Sequence, residues 1–135
     1  MCGSARQTWA RDVMRPDPAV CPSDATVDQV ATLVVHDECR AVLVIDPAER
    51  SQGMVTDREI IRRVVAEGRN PLAYPVEACL SRPMVTVPVG ALLDTVIATL
   101  HTHHVPWVAV VDGEGRCVGL ISEEDVAGAG TDNRP

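Results

Sequence analysis

The sequence predicts a mixed α/β fold of the α+β kind, built from two copies of one β-α-β-β-α unit. Three observations predict it. The first is an internal repeat: Gly53-Met54-Val55-Thr56-Asp57-Arg58-Glu59 returns as Gly119-Leu120-Ile121-Ser122-Glu123-Glu124-Asp125, at an offset of 66 residues. The same offset, without a gap, sets Pro22 on Pro88, Ala25 on Ala91, Asp28 on Asp94 and Val30 on Val96. It also sets Val42 on Val108, Val44 on Val110, Asp46 on Asp112 and Arg50 on Arg116. The second is a pair of matched helical stripes, Val27, Val30, Ala31, Val34 and Leu93, Val96, Ile97, Leu100, each spaced i, i+3, i+4, i+7. The third is composition. With 46% apolar residues but only 2% aromatic and no Phe, the core must be filled by Val, Ala, Leu and Ile, and β-branched residues favour strands.

Taken in order, Trp9–Met14 reads as a short helical turn that Pro16 and Pro18 stop. Ala19–Cys21 is a short strand. Thr26-Val27-Asp28-Gln29 has the capping-box pattern and opens a helix to about Asp37. Ala41–Ile45 is a buried strand, Asp46-Pro47 a turn and Gln52–Val55 the returning strand. A helix from Asp57 to about Glu67 ends at Gly68 and Asn70-Pro71. Residues 69–75 read as a linker. The second copy follows with a turn at Val76–Leu80, a strand at Val85–Val87, a helix from about Leu92 to His101 and strands at Trp107–Val111 and Cys117–Ile121. A last helix follows Ser122, shortened by Gly128 and Gly130. The two repeats are placed at residues 8–68 and 76–128, with a flexible tail at 129–135.

A chain of 135 residues suits one compact unit that needs no disulfides to close its core. The net charge of −7, with no Lys and no basic run, argues against a nucleic-acid surface. The opening residues lack the apolar core of a signal peptide, and the apolar stretch Val105–Val111 is too short to span a bilayer. No membrane association is expected. Five scattered cysteines, Cys2, Cys21, Cys39, Cys79 and Cys117, without a Cys-x-x-Cys spacing, suit reduced thiols and a cytoplasmic location.

The repeated junction carries the chemistry. Apolar residues of strand character give way to a hydroxyl, Thr56 or Ser122, and a carboxylate follows one helical turn later, Glu59 or Asp125. Hydroxyl, carboxylate and free helix N–H groups then surround one point, which suits a phosphate or a sugar. The bland alternative is helix capping. Thr56-x-x-Glu59 satisfies the capping-box pattern outright and Ser122-x-x-Asp125 nearly does.

The repeated unit, with its Val-rich strand ending in Asp and its Gly-x-x-Ser/Thr-x-x-Asp junction, resembles a tandem pair of CBS domains, a Bateman module, over about residues 8 to 128. The resemblance implies two repeats related by a pseudo-twofold and packed as one module. It implies a regulatory sensor rather than an enzyme, binding an adenosine-containing molecule (AMP, ADP, ATP, S-adenosylmethionine or NAD) in clefts between the repeats. It also implies a homodimer. With no output domain in the chain, signalling would pass in trans to a protein partner still to be identified. No obligatory cofactor is implied; the nucleotide is a regulatory ligand.

Carried onto this chain, the resemblance makes Asp125 the acceptor of the ribose hydroxyls. Ser122 would hold ribose or phosphate, and Leu120 would touch base or sugar. Val20, Cys21, Cys39, Arg40 and Ala41 would wall this first site, Arg40 reaching a phosphate. A second, weaker site would use Thr56, Met54, Thr86, Val87, Val105 and Pro106. There Glu59 stands where the family usually has Asp, and the extra methylene displaces the carboxylate. Arg58 and Arg82 are further cations that would have to gather at a cleft to hold a polyanion.

Two readings compete with a nucleotide sensor. One is a structural or dimerisation module whose clefts stay empty. The other is a metal protein, suggested by His101, His103 and His104, although adjacent residues at a helix end point apart and more simply cap its carbonyls. No nucleophile–base pair supports catalysis, so no catalytic residue is assigned.

Overall fold

The computed structural model describes residues 7–80 and 84–132, with side chains through residue 128. Cys2 and Arg82 lie outside the described residues. The chain divides into two compact units. One is Pro18–Met84, and the other joins Met1–Asp17 to Val85–Pro135. The first described elements, α1 (Ala10–Val13) and the two-residue β1 (Arg15–Pro16), therefore belong with the later part of the chain.

In the unit of residues 18–84, β2 (Val20–Pro22) runs parallel to β3 (Ala41–Ile45), and β4 (Ser51–Thr56) returns antiparallel. Among the described residues they make a three-stranded sheet of order β2-β3-β4. The parallel pair is connected through α2 (Val27–His36), as a parallel crossover requires. Its start is set as the sequence predicts: the Thr26 N–H donates to Gln29 Oε1 at 3.1 Å, one half of a capping box. Val27 and Val30 from α2 meet Val42 and Val44 of β3 and Val55 of β4 in one buried cluster. The period of two along a strand then sends Ala41, Leu43, Met54 and Thr56 to the other face of the sheet, where they too are buried.

After Thr56 the chain enters α3 (Asp57–Ile60), which widens into a π-helical turn, Ile61–Val65. The expected single α-helix over 57–67 is thus two short helical forms. Val64, within the wider turn, is fully buried in the core. Gly68 (φ +70°) closes this helix, as expected for a glycine that must adopt a left-handed conformation. A 3-10 turn, Val76–Cys79, completes the unit and adds Val76 and Cys79 to its core.

The other unit repeats the plan. β5 (Thr86–Pro88) and β6 (Trp107–Val111) are parallel and joined through α4 (Leu93–His103), and β7 (Cys117–Ser122) returns antiparallel to β6. The register is the one seen in the first unit. Trp107 faces Ser122 as Ala41 faces Thr56, and a bulge falls between Val110 and Val111 as it does between Val44 and Ile45. Here β1 also joins the sheet, which among the described residues runs β1-β7-β6-β5, with Arg15 opposite Leu120 and Pro16 opposite Gly119. Pro16 is tolerated because β1 is an edge strand. The Ala10 N–H of α1 donates to the Ala91 carbonyl at 2.8 Å, and Ala10 is buried with Val96, Leu100 and Ile121.

Gly119 is what allows β1 to lie so close. A Cβ there would stand 2.8 Å from Met14 Cγ and 3.0 Å from the Arg15 carbonyl oxygen, and closer still to Met14 Sδ. The last helix, α5 (Glu123–Asp132), is longer than predicted, since Gly128 and Gly130 do not interrupt it. Its Val126 packs against the core of this unit, and tertiary contact outweighs the weak propensity of glycine.

Candidate functional site

Both strand-to-helix junctions place their hydroxyl as the repeat predicts. The first N–H of each helix donates to the carbonyl just before the partner strand: Asp57 to Arg40 and Glu123 to Pro106, both at 3.0 Å. Thr56 and Ser122 are buried, at 8% and 5% exposure. Their hydroxyl oxygens accept from the N–H of Glu59 and Asp125, each at 3.1 Å.

The two carboxylates then differ, in the reverse of what the pattern suggested. Asp125 Oδ2 accepts from the Ser122 N–H at 2.9 Å, so Ser122 and Asp125 form a full reciprocal box. Glu59 instead turns along its helix, taking Arg63 Nε at 2.7 Å and Arg62 Nε at 3.4 Å. The shorter Asp side chain stays over the helix start, whereas the longer Glu reaches cations three and four residues on.

Asp125 has a second partner that the sequence did not point to. Arg15 donates through Nε to Oδ1 at 3.1 Å and to Oδ2 at 3.3 Å, and its Nη2 lies 3.1 Å from Oδ1. The Arg15 side chain is 58% exposed and the Asp125 side chain only 12%. Hydrogen bonding and charge from Asp125 raise the Arg15 pKa above its ordinary value.

The remaining predicted residues fall into two groups. In the unit of residues 18–84, Val20, Cys21, Cys39, Arg40 and Ala41 lie on or beside β2 and β3, in the same unit as Met54, Thr56 and Glu59. Arg40 is exposed and its Nε is 3.4 Å from Asp57 Oδ2, while Cys21 and Ala41 are buried. In the other unit, Thr86 is exposed and Val87 buried on β5, and Val105 and Pro106 lead into β6, in the same unit as Leu120, Ser122 and Asp125. Leu120 is buried at 4% exposure.

None of the described thiols is activated. Burial pushes Cys21 up to about 11, and burial is also the main cause that raises Cys39, Cys79 and Cys117. His101 and His103 lie in the last turn of α4, and His104 caps it in a left-handed conformation (φ 53°). Among the described residues, no three His, Cys, Asp or Glu side chains are grouped to hold a metal ion. No helix among them is long and apolar enough to cross a membrane.

Comparison with known proteins agrees with the repeat. The CBS domain family matches twice, over residues 10–66 and 76–132. The chain belongs to the CBS-domain family. This CBS pair is 32% identical, over 81% of its length, to the uncharacterized protein MJ0450 of Methanocaldococcus jannaschii, and the match spans 59% of that protein. Among solved structures, the CBS domain pair of protein MJ0100, in complex with 5-methylthioadenosine and S-adenosyl-L-methionine, superimposes with a TM-score of 0.84 at 19% identity. That match covers 96% of this chain and 100% of the other. The CBS domain protein PAE2072 from Pyrobaculum aerophilum, complexed with AMP, gives a TM-score of 0.78 at 23% identity over 87% of this chain and 88% of that one. At these identities the structural likeness establishes the fold.

Proposed function

We propose that this CBS pair is a regulatory module that binds an adenosine-containing molecule, with Asp125 as the ribose acceptor, and reports occupancy to a protein partner in trans. The observation that carries the reading is the geometry at the head of α5. A largely buried carboxylate is held by the Ser122 N–H beside the Ser122 hydroxyl, at a helix start where anions and sugars are favoured. A carboxylate aimed in this way can accept both hydroxyls of a cis-diol. The solved relatives bound to AMP and to S-adenosyl-L-methionine support the ligand class. Leu120, Val20, Cys21, Cys39, Arg40 and Ala41 are proposed to complete this site. Thr56, Met54, Thr86, Val87, Val105 and Pro106 are proposed to form a weaker one, because Glu59 is already tied to Arg62 and Arg63. A homodimer is supported by Ile61 and Val65, exposed at 59% and 65% one turn apart after α3.

A second reading has an observation of its own. Both candidate carboxylates carry arginine partners, as expected of a structural module whose clefts take no ligand. Thermal melting separates the two. A ligand at a hundred times its dissociation constant stabilises the folded state by about 2.7 kcal/mol, a shift of several degrees. The sensor reading predicts such a shift with AMP, S-adenosylmethionine or another adenosine compound, and its loss in Asp125→Asn. No shift with any of them leaves the structural module.

A further inference from the structure

Asp125 cannot receive a ribose while Arg15 covers it. Among the described residues, Arg15 supplies the hydrogen bond to Oδ1 and shares Oδ2 with the Ser122 N–H. A carboxylate offers about four lone-pair positions, so removing Arg15 would open Oδ1 and part of Oδ2 while Ser122 kept the group aimed. The ion pair is suited to such an exchange. Arg15 is more than half exposed, and a pair with one member so solvated is held weakly. Its backbone is nevertheless fixed: β1 pairs with β7, and the missing Cβ of Gly119 lets the strand approach, so a displaced Arg15 side chain stays tethered beside the site.

We propose that Arg15 is the phosphate-binding residue of the Asp125 site, guarding the carboxylate when the site is empty and passing to the ligand's phosphate when ribose hydroxyls take its place. This rests on the nucleotide reading above and narrows its ligand to a nucleoside with a phosphate close to the ribose. The guanidinium fork fits a phosphate as it fits a carboxylate, and exchanging one anion for the other leaves neither Arg15 nor Asp125 unpaired. Glu124, which also acts electrostatically on Arg15, adds to the pull that keeps the residue near the head of α5.

The test is titration calorimetry of AMP and of adenosine with the full chain as wild type, Arg15→Gln and Arg15→Lys, each checked for an unchanged fold by its melting curve. In Arg15→Gln the ratio of AMP affinity to adenosine affinity falls about tenfold, the size of a lost charge-assisted hydrogen bond. Adenosine itself binds as well or better, because Asp125 is uncovered. Arg15→Lys restores part of the ratio. If wild type binds both compounds and Arg15→Gln leaves the ratio unchanged, or weakens both equally, Arg15 is only a structural partner of Asp125 and the nucleotide reading survives. If wild type binds neither, the role of Arg15 falls, and the wider adenosine reading is decided separately by the melting series with S-adenosylmethionine and the other adenosine compounds.

Discussion

Replacing Gly119 by Ala tests whether β1 is locked onto β7 by the absence of one methyl group. The new Cβ would stand 2.8 Å from Met14 Cγ and 3.0 Å from the Arg15 carbonyl oxygen, well inside an ordinary van der Waals contact of about 3.5 Å. Met14 has flexible bonds and can swing aside, but the Arg15 carbonyl belongs to the strand itself. Relief therefore requires β1 to move outward, which weakens its two-residue pairing and pulls Arg15 away from Asp125. Overpacking of this kind costs about 1 to 3 kcal/mol. For a domain of this size that is roughly 3 to 12 °C in melting temperature. The assay is urea unfolding of wild type, Gly119→Ala, Met14→Ala and the double variant. Removing the Met14 side chain relieves only part of the clash, so the double variant should recover about 0.5 kcal/mol or more relative to additivity. Additive effects, or a Gly119→Ala variant as stable as wild type, would show that β1 is not held by this close approach.

Other expectations follow from the same geometry. Ser122→Ala should lose about 1 kcal/mol of stability by removing the hydroxyl that caps α5, measured by chemical unfolding. Glu59→Gln should cost less than about 1 kcal/mol, because its arginine partners are substantially exposed, and should leave any AMP-induced melting shift in place. Cys21, held protonated by burial up to about 11 against an ordinary 9.0, makes folding stability fall as pH rises. In the unfolded chain this thiol ionises from about pH 9, so the loss develops between pH 9 and 11, amounting to at most about 3 kcal/mol, and Cys21→Ala should flatten that slope. The Asp112 carboxylate accepts the N–H of Glu114 at 2.9 Å and of Arg116 at 3.0 Å, and these bonds lower its pKa below 3.8. Its contribution to the β6–β7 turn is present above the unfolded pKa and is lost as pH falls through the folded one; NMR titration of Asp112 should place its midpoint below 3.8.

The parts of this architecture that rest on local patterns were legible in the chain. The offset that sets Gly53 on Gly119 also sets the paired strands and the two hydroxyl caps, because each depends on residues near one another in sequence. What depends on distant residues was hidden. Arg15 and Asp125 are 110 positions apart, and nothing in either repeat announces their ion pair. The prolines around β1 read as helix stops, whereas an edge strand of two residues needs no donor from Pro16. The capping-box pattern ranked Thr56 and Glu59 above Ser122 and Asp125, yet a pattern cannot say which donor a carboxylate prefers when arginines stand three and four residues ahead. The run of α5 through Gly128 likewise rests on packing, through Val126, which the local pattern does not show.

The central claim, that Asp125 receives a ribose, is tested most directly by a crystal structure of the full chain grown with AMP. The account predicts the 2′- and 3′-hydroxyls within hydrogen-bonding distance of the Asp125 carboxylate, with the Arg15 guanidinium moved from that carboxylate to the phosphate. AMP seated beside Glu59 alone, or crystals at saturating AMP in which Asp125 still holds Arg15 and no nucleotide, would contradict it.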